Sequence, residues 1–224
     1  MGVSSSGADR RARLRDAHLY FVADRAGLER ALDGALRGGV DLVQLRDKTA
    51  TDAEILATAA WAAERCGAHG ALFVVNDRPD LAAKAGADGV HVGQDDTPVA
   101  EARAAVGDGT IVGLSTHSIA QADAGAVSGA DYLAVGPVHA TPTKEGRPAI
   151  GLDPVRHAAA HIRAVPWFAI GGIDPETVGA VVAAGARRVV VVRAIAHADD
   201  PEAVTRGLRA TLAAGAVGAG RGAA

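Results

Sequence analysis

The feature that most constrains the fold is a regular alternation of short apolar runs with longer alanine-rich segments. Eight such runs recur at intervals of roughly 20 to 35 residues, a spacing typical of strands that alternate with helices. They span residues 18–23, 41–45, 71–75, 89–92, 110–114, 131–135, 167–170 and 188–192. Runs that are apolar throughout are typical of parallel strands that are buried on both faces. The sequence therefore predicts an α/β protein built around one parallel sheet.

The segments between the runs carry residues that start and end helices. The clearest of these segments are 51–65 and 175–184. Asp174 followed by Pro175 is typical of an N-cap and a first-turn proline, while Gly67 and Gly185 are placed to end helices. Three glycine-alanine-polar phrases, at 86–88, 129–131 and 185–187, each lead from a predicted helix end into a strand.

Eight strand–helix repeats in 224 residues fit a closed (β/α)8 TIM barrel in a single domain. The alternative is an open doubly wound sheet, which calls for a glycine-rich turn after the first strand. Here the first run is followed by Asp24-Arg25-Ala26-Gly27, which is not such a turn. We predict a flexible N-terminal tail over residues 1–15, the barrel over 16–212 and a disordered Gly/Ala tail over 213–224.

Composition narrows the possible partners. The net charge of −3 gives no basic excess for nucleic acid, and no apolar run approaches the length of a membrane span. Cys66 is the single cysteine, so an internal disulfide framework is excluded and a reducing cytoplasm is expected. These features predict a cytoplasmic protein that acts on small molecules, and they leave a homo-oligomer open.

In a barrel of this kind, functional side chains follow the C-terminal ends of the strands. The second run ends in Gln44, Arg46 and Lys48, which lie on one side of an extended chain because side chains alternate. One amide and two cations together predict an anion-binding group. Ser115, after the fifth run, adds a hydroxyl at the same end of the barrel.

Two carboxylates follow neighbouring strands. Asp77 comes after the third run and Asp96 after the fourth, so the two side chains are expected to converge. Carboxylates at one point repel each other unless a cation lies between them, and Mg²⁺ prefers such oxygen ligands. Taken singly, each aspartate suits a turn or a helix N-cap; taken together, they predict a metal site. His91, inside the fourth strand, is interpreted as a packed core histidine.

A polar loop over residues 136–151 follows the sixth run. Its prolines and glycines exclude a helix. Thr141, Thr143 and Lys144 give it two hydroxyls and one ammonium, a combination suited to phosphate oxygens.

A second phosphate position is expected where the last two strands end. Loops after strands seven and eight of a barrel often bind phosphate through backbone N–H groups. Gly172 and the backbone of Val192 and Arg193 occupy these positions, and the Arg193 side chain could add a charge. The chain thus has two predicted anion sites, as expected for two phosphorylated substrates.

These residues match a known family. From about Leu19 to about Ala203 the chain resembles the thiamine-phosphate synthase family in five segments that occur in register. The segments are Gln44-Leu45-Arg46-Asp47-Lys48, Asn76-Asp77, His91-Val92-Gly93-Gln94-Asp95-Asp96, Gly136-Pro137-Val138 with Thr141-Pro142-Thr143-Lys144, and Ile170-Gly171-Gly172-Ile173. The resemblance implies a (β/α)8 barrel enzyme that joins hydroxymethylpyrimidine pyrophosphate to thiazole phosphate, giving thiamine phosphate and pyrophosphate with Mg²⁺.

The resemblance also implies roles for individual residues. The pyrimidine pyrophosphate would be held by Gln44, Arg46, Lys48, Asn76, Ser115 and Lys144, of which Arg46, Lys48, Ser115 and Lys144 would be catalytic. Asp77 and Asp96 would bind Mg²⁺. The thiazole phosphate would be held by Thr141, Thr143, Gly172, Val192 and Arg193. Further substrate contacts would come from Leu45, Asp47 and Pro142.

One departure and two alternatives remain at this point. The family often carries serine where this chain has Arg193, which puts the side-chain contact in doubt and keeps the backbone contacts. A related thiazole tautomerase carries a catalytic histidine where this chain has Pro137. The other alternative is a non-catalytic sensor of phosphorylated ligands on the same barrel.

Overall fold

The structure is a computed structural model that describes residues 6–140 and 149–220, with side chains described up to residue 215. Within these residues, eight parallel strands close into a barrel in chain order, β1 to β8. The strands are β1 Leu19–Ala23, β2 Leu42–Leu45, β3 Leu72–Asn76, β4 Gly89–Val92, β5 Ile111–Thr116, β6 Tyr132–Val135, β7 Trp167–Ile170 and β8 Val189–Val191. The barrel is closed by pairing of the first and last strands, since Phe21 of β1 is in register with Val43 of β2 and Val191 of β8.

Helices surround the barrel and connect its strands. Those described are α1 Gly7–Asp16, α2 Arg25–Arg37, α3 Asp52–Ala68, α4 Pro79–Ala85, α5 Val99–Val106, α6 Ile119–Ala126, α7 Asp153–His161, α8 Val178–Ala183, α9 Arg193–Ala196 and α10 Pro201–Gly220. Their starts follow local chemistry. Thr51 and Glu54 form a reciprocal capping box at α3, and the Asp24 carboxylate accepts from Gly27 N at α2.

Alternation along each strand divides the core into two layers. On β2, Leu42 packs with the apolar residues inside the barrel, while Val43 and Leu45 pack in the layer between the sheet and the helices. Gln44 again points inward, above Leu42. The inner layer is therefore apolar at the N-terminal end of the strands and polar towards their C-terminal end.

The predicted barrel is confirmed, and the open doubly wound sheet is excluded by the pairing of β1 with β8. Each of the eight predicted runs coincides with a strand to within two residues at either end. One predicted helix starts later than the sequence suggested, since Asp174 was expected as its N-cap. Helix α8 begins at Val178, because Asp174 forms a turn in which its carboxylate accepts from Thr177 N.

The prediction of a flexible N-terminal tail over residues 1–15 is wrong from residue 7. Residues Gly7–Asp16 form α1, which begins with a capping box between Ser6 and Asp9. Leu14 is 1% exposed and packs into the inner layer of the barrel. Arg10 pairs with Asp88 at 2.8 Å, so the arginines that suggested a solvated tail instead anchor the helix.

The prediction of a disordered C-terminal tail over residues 213–224 is wrong as far as residue 220. Helix α10 continues to Gly220, and its Gly215 carbonyl accepts from Arg187 Nη1 at 3.0 Å. A glycine is required there by packing, since a Cβ at Gly215 would collide with Val182. Alanine favours helix, so an Ala/Gly segment with tertiary contacts folds where composition alone suggests disorder.

In the part of the chain that the structure describes, no helix combines the length and apolar character needed to cross a membrane.

Candidate active site

A cavity of about 400 Å³ opens at the C-terminal end of the barrel. Every strand contributes one side chain or backbone segment to its wall: Tyr20, Gln44, Asn76, His91, Ser115, Ala134, Ile170 and Val190. The volume lies within the range of small-molecule sites, and the C-terminal end is where barrels place their active sites.

A chain of hydrogen bonds crosses the floor of this cavity. Gln44 donates its amide N–H to the Tyr20 hydroxyl, which shares a 2.9 Å hydrogen bond with the hydroxyl of Tyr132. That hydroxyl is 3.0 Å from His91 Nδ1, and His91 Nε2 is 2.9 Å from Ser115 Oγ. Five buried polar side chains therefore satisfy one another's hydrogen-bonding groups. This network fixes the orientations of Gln44 and Ser115.

Burial keeps the two tyrosines neutral. Desolvation raises the pKa of Tyr20 and that of Tyr132 well above the ordinary phenol value, so both act as hydroxyl donors and acceptors at all physiological pH values. Their rings also pack edge to face, with centroids 5.9 Å apart. The two residues serve the site by holding Gln44 and His91 in place.

Sequence reasoning missed Tyr20 and Tyr132 as parts of the site. They are the chain's only two tyrosines, and each lies in an otherwise apolar strand, which is the signal that could have been used. His91 is buried, at 6% exposure, as its interpretation as a core histidine requires. It also lines the cavity and contacts Ser115, so it belongs to the floor of the site.

The predicted site residues at the ends of β2 and β3 differ in where their side chains lie. Arg46 lines the cavity beside Gln44, and Asn76 lines it from the end of β3. Leu45 is 2% exposed and packs towards the helices, so its side chain faces away from the cavity. Asp47 turns into its own loop, where its carboxylate accepts from Thr49 N and Ala50 N at 3.1 Å.

The hydrogen bonds to the Asp47 carboxylate explain its low pKa. Partial burial would raise the pKa of Asp47, yet hydrogen bonds from Thr49, Arg25 and Ala50 outweigh it and hold the pKa below the ordinary aspartate value. Asp47 is therefore an ionised residue that fixes the loop between β2 and α3, and in this way it positions Lys48.

The predicted convergence of Asp77 and Asp96 is present. Asp77 N donates to His91 O at 2.8 Å, which ties the end of β3 to β4, and the Asp96 carboxyl lies close enough to Asp77 to affect its pKa. Burial and then the Asp96 carboxyl raise the pKa of Asp77, while the Lys48 ammonium, 3.0 Å from Asp77 Oδ2, acts in the opposite direction.

Asp77 also has an uncommon backbone conformation. Its φ of 58° lies in the left-handed region, and it is the one residue other than glycine with a positive φ in the described parts of the chain. Asparagine and aspartate tolerate this region better than other side chains do. The strand ends at Asn76, and the Asp77 carboxylate contacts Lys48.

The opposite wall of the cavity is formed by residues that follow β7 and β8. Gly172 has a φ of 61°, and a Cβ there would lie 2.7 Å from the Cβ of His139, so a side chain has no room. Val192 and Arg193 line the same wall where β8 passes into the short helix α9. Arg193 is exposed at the mouth of the cavity. Glycine is therefore required at position 172 by packing against the segment at His139 and Ala140.

Comparison with known proteins shows the family of the chain. Residues 19–195 match the family model described as thiamine monophosphate synthase. The chain belongs to the thiamine monophosphate synthase family. Thiamine-phosphate synthase of Saccharopolyspora erythraea is 53% identical over 213 residues, covering 90% of this chain and 96% of the relative. That of Thermobifida fusca is 51% identical over 211 residues, covering 92% and 97%.

A solved structure supports the same conclusion. Thiamine phosphate pyrophosphorylase from Pyrococcus furiosus superposes with a TM-score of 0.81 at 31% identity, covering 92% of this chain and 98% of that one. The resemblance drawn from five sequence segments is thereby confirmed, as is the prediction that the chain is an enzyme of the thiamine monophosphate synthase family.

Within this family framework, most of the predicted residues gather at one place. Six of them line the cavity: Gln44, Arg46, Asn76, Ser115, Val192 and Arg193, and the backbone of Gly172 completes the wall. Lys48, Asp77 and Asp96 lie together beside it. The predicted residues Thr141, Pro142, Thr143 and Lys144 fall outside the described residues.

Proposed function

We propose that the chain condenses hydroxymethylpyrimidine pyrophosphate with thiazole phosphate, giving thiamine phosphate and pyrophosphate, at this cavity. The observation that carries the proposal is that residues assigned from the sequence to the two substrates line one cavity. Arg46 and Ser115, assigned to the pyrimidine substrate, and Gly172, assigned to the thiazole phosphate, all lie in its wall. A condensation requires both substrates side by side, and holding them so supplies a large part of the rate.

On the pyrimidine side, the hydrogen-bonded floor is the main support. Gln44 and Ser115 present an amide and a hydroxyl from fixed positions, because Tyr20 and His91 hold them. Such donors and acceptors suit the ring nitrogens and amino group of a pyrimidine. Asn76 adds a second amide at the end of β3.

The reaction is a substitution at the pyrimidine CH2 group. The bond from this carbon to the pyrophosphate oxygen breaks, with the electron pair leaving on pyrophosphate, and the thiazole nitrogen forms the new carbon–nitrogen bond. No proton has to be removed, so no general base is required. The task of the protein is to stabilise the charge that grows on the leaving group, which Arg46, Lys48 and the sequence-predicted Lys144 are suited to do.

The donor set of Asp77 and Asp96 fits Mg²⁺. Two neighbouring carboxyl groups call for a cation, and their hard oxygen atoms suit this ion. Among the described residues, no group of three or more histidine, cysteine, aspartate or glutamate side chains is arranged to hold a metal. Asp77 and Asp96 would thus share Mg²⁺ with water and substrate oxygens, and the ion would neutralise charge on the pyrophosphate.

On the thiazole side, the phosphate would be bound by backbone N–H groups near Gly172, Val192 and Arg193, with the Arg193 guanidinium adding charge. The support for this assignment is the position of these residues after β7 and β8, together with the close packing that leaves no space for a side chain at Gly172. From the sequence, Thr141 and Thr143 would complete this group.

The test is to incubate the purified chain with both substrates and Mg²⁺ and to follow thiamine phosphate and pyrophosphate by chromatography. Equal amounts of both products are expected, and omission of either substrate should abolish both. Absence of thiamine phosphate under these conditions would overturn the proposal. The thiazole tautomerase alternative predicts conversion of a thiazole tautomer without any pyrimidine substrate, and the sensor alternative predicts binding without turnover.

A further inference from the structure

Lys48 contacts a carboxylate in this structure, although the proposed function assigns its ammonium to the pyrophosphate. Lys48 Nζ lies 3.0 Å from Asp77 Oδ2. The lysine side chain is 56% exposed and the aspartate side chain only 20%. The ammonium therefore occupies a coordination position of the very residue that is proposed to bind the metal.

The two partners of this ion pair differ in their freedom to move. Asp77 is fixed by its left-handed backbone and by the hydrogen bond from its N–H to His91 O at 2.8 Å. Asp96 is fixed as well, since its Oδ2 accepts from Gly93 N at 2.9 Å. Lys48 is a long, mostly exposed side chain with four rotatable bonds, and it is the mobile member of the group.

We infer that Lys48 is an exchangeable counter-ion, which neutralises Asp77 before substrate binds and transfers to the pyrophosphate when Mg²⁺ takes its place beside the carboxylates. This inference rests on the proposed function, because it assumes a metal at Asp77 and Asp96 and a pyrophosphate above them. It adds a role for Lys48 in deciding when the metal can bind.

The physical reason is that an ammonium and a divalent cation repel each other and compete for the same oxygen. While Lys48 contacts Asp77, the carboxyl pair is partly neutralised and attracts Mg²⁺ less strongly. Pyrophosphate changes this balance in two ways, since its charge draws Lys48 away and its oxygens complete the coordination shell. The metal and the pyrophosphate are thereby expected to enter together, and the carboxylates are not left with uncompensated charge at any stage.

The test measures metal binding directly, with Mn²⁺ as a spectroscopic substitute for Mg²⁺ and the signal of free Mn²⁺ as the readout. In the absence of substrate, Lys48→Met is expected to bind Mn²⁺ about two- to fivefold more tightly than the unaltered chain, the effect of removing one partly exposed charge contact. Lys48→Arg keeps the charge and should retain the original affinity. Lys84→Met, which removes an exposed lysine on α4, is the matched control and should also leave the affinity unchanged.

Inorganic pyrophosphate should reduce the difference between the two affinities, once the Mn²⁺ that it chelates in a protein-free control is subtracted. In the unaltered chain it is expected to strengthen Mn²⁺ binding, and in Lys48→Met this gain should be smaller, because the ammonium that would bind pyrophosphate is missing. Unchanged or weaker substrate-free Mn²⁺ binding by Lys48→Met would overturn the inference.

The proposed function is judged separately. If the unaltered chain forms product but Lys48→Met does not change Mn²⁺ affinity, the counter-ion exchange is rejected and the proposed function stands. Absence of Mn²⁺ binding by the unaltered chain, with and without pyrophosphate, would overturn both the exchange and the proposed metal site.

Discussion

The two ends of the barrel both carry aspartates beside strand ends, but their carboxylates are satisfied differently. At the N-terminal end, Asp131 accepts from Arg11 at 2.7 Å and from the N–H of Val112 at 2.8 Å, and it also pairs with Arg103. At the C-terminal end, Asp77 lies near Asp96 and pairs with Lys48 at 3.0 Å.

This difference separates charges that stabilise the fold from charges that serve a ligand. Asp88 repeats the arrangement of Asp131, since it accepts from Arg10 and from Phe73 N. Both aspartates join α1 to the start of a strand, and every bond they need comes from the chain. The carboxylates at the other end repel each other, which costs stability unless a cation is supplied. Substitutions at the two ends should therefore affect different measurements.

The largest expected effect is on catalysis at the open end. Arg46→Met keeps an unbranched side chain and removes the charge that is proposed to act on the leaving group, so kcat should fall by about 10²- to 10³-fold. The melting temperature should stay unchanged, because Arg46 lines a cavity and not the core. Arg30→Met, on the exposed side of α2, is the control. Near-normal kcat in Arg46→Met would show that this charge does not act on the reaction.

The next effect is on stability at the closed end. Asp131→Ala leaves two arginines and a strand N–H without their acceptor, and the free energy of unfolding should fall by about 2–3 kcal/mol. For a chain of this length that corresponds to a melting temperature lower by roughly 4–12 °C. Activity below the transition should be retained. Loss of activity without loss of stability would contradict the separation of the two ends.

Asp96→Asn is the counterpart of that substitution at the open end. It keeps the shape of the side chain and removes one charge from the carboxyl pair, so stability should be unchanged or slightly higher. Turnover should fall at least about tenfold, and added Mg²⁺ should restore part of it by mass action. A Mg²⁺ titration of both chains, with EDTA as the control, measures this. Full activity of the unaltered chain in EDTA would refute the metal assignment.

The smallest effect is expected at the thiazole side. Arg193→Ser should raise the KM for thiazole phosphate by about two- to fivefold, the size of one exposed charge contact, with kcat little changed. An unchanged KM would mean that the phosphate is held by backbone N–H groups alone. Either result shows how much an exposed charge at the site contributes, since Arg193 is exposed whereas Arg46 is partly buried.

Much of the fold could be read from the sequence because its signal is local. Strands that are buried on both faces are apolar throughout, so the eight runs coincide with β1 to β8. Strand order in a barrel follows chain order, which was enough to predict that Gln44, Asn76 and Ser115 meet at one end. Neighbouring strand ends also placed Asp77 next to Asp96.

What the sequence could not supply are contacts between residues far apart in the chain. Tyr20 and Tyr132 are separated by 112 positions, and only closure of the barrel brings their hydroxyls to 2.9 Å. Residues 7–16 are rich in arginine and suggested a solvated tail. They form a helix because Asp88 and Asp131 supply partners that the local sequence does not contain.

The sequence by itself determined the strands, the barrel, the family and the end of the barrel that carries the site, since each depends on residue type and order along the chain. The tertiary structure alone decided the direction and partner of each polar group. It directs the Asp47 carboxylate towards Thr49 in its own loop. It also brings His91 into contact with Ser115 at the floor of the cavity, and Lys48 into contact with Asp77. These outcomes depend on distances across the barrel, which exist only once all eight strands have closed.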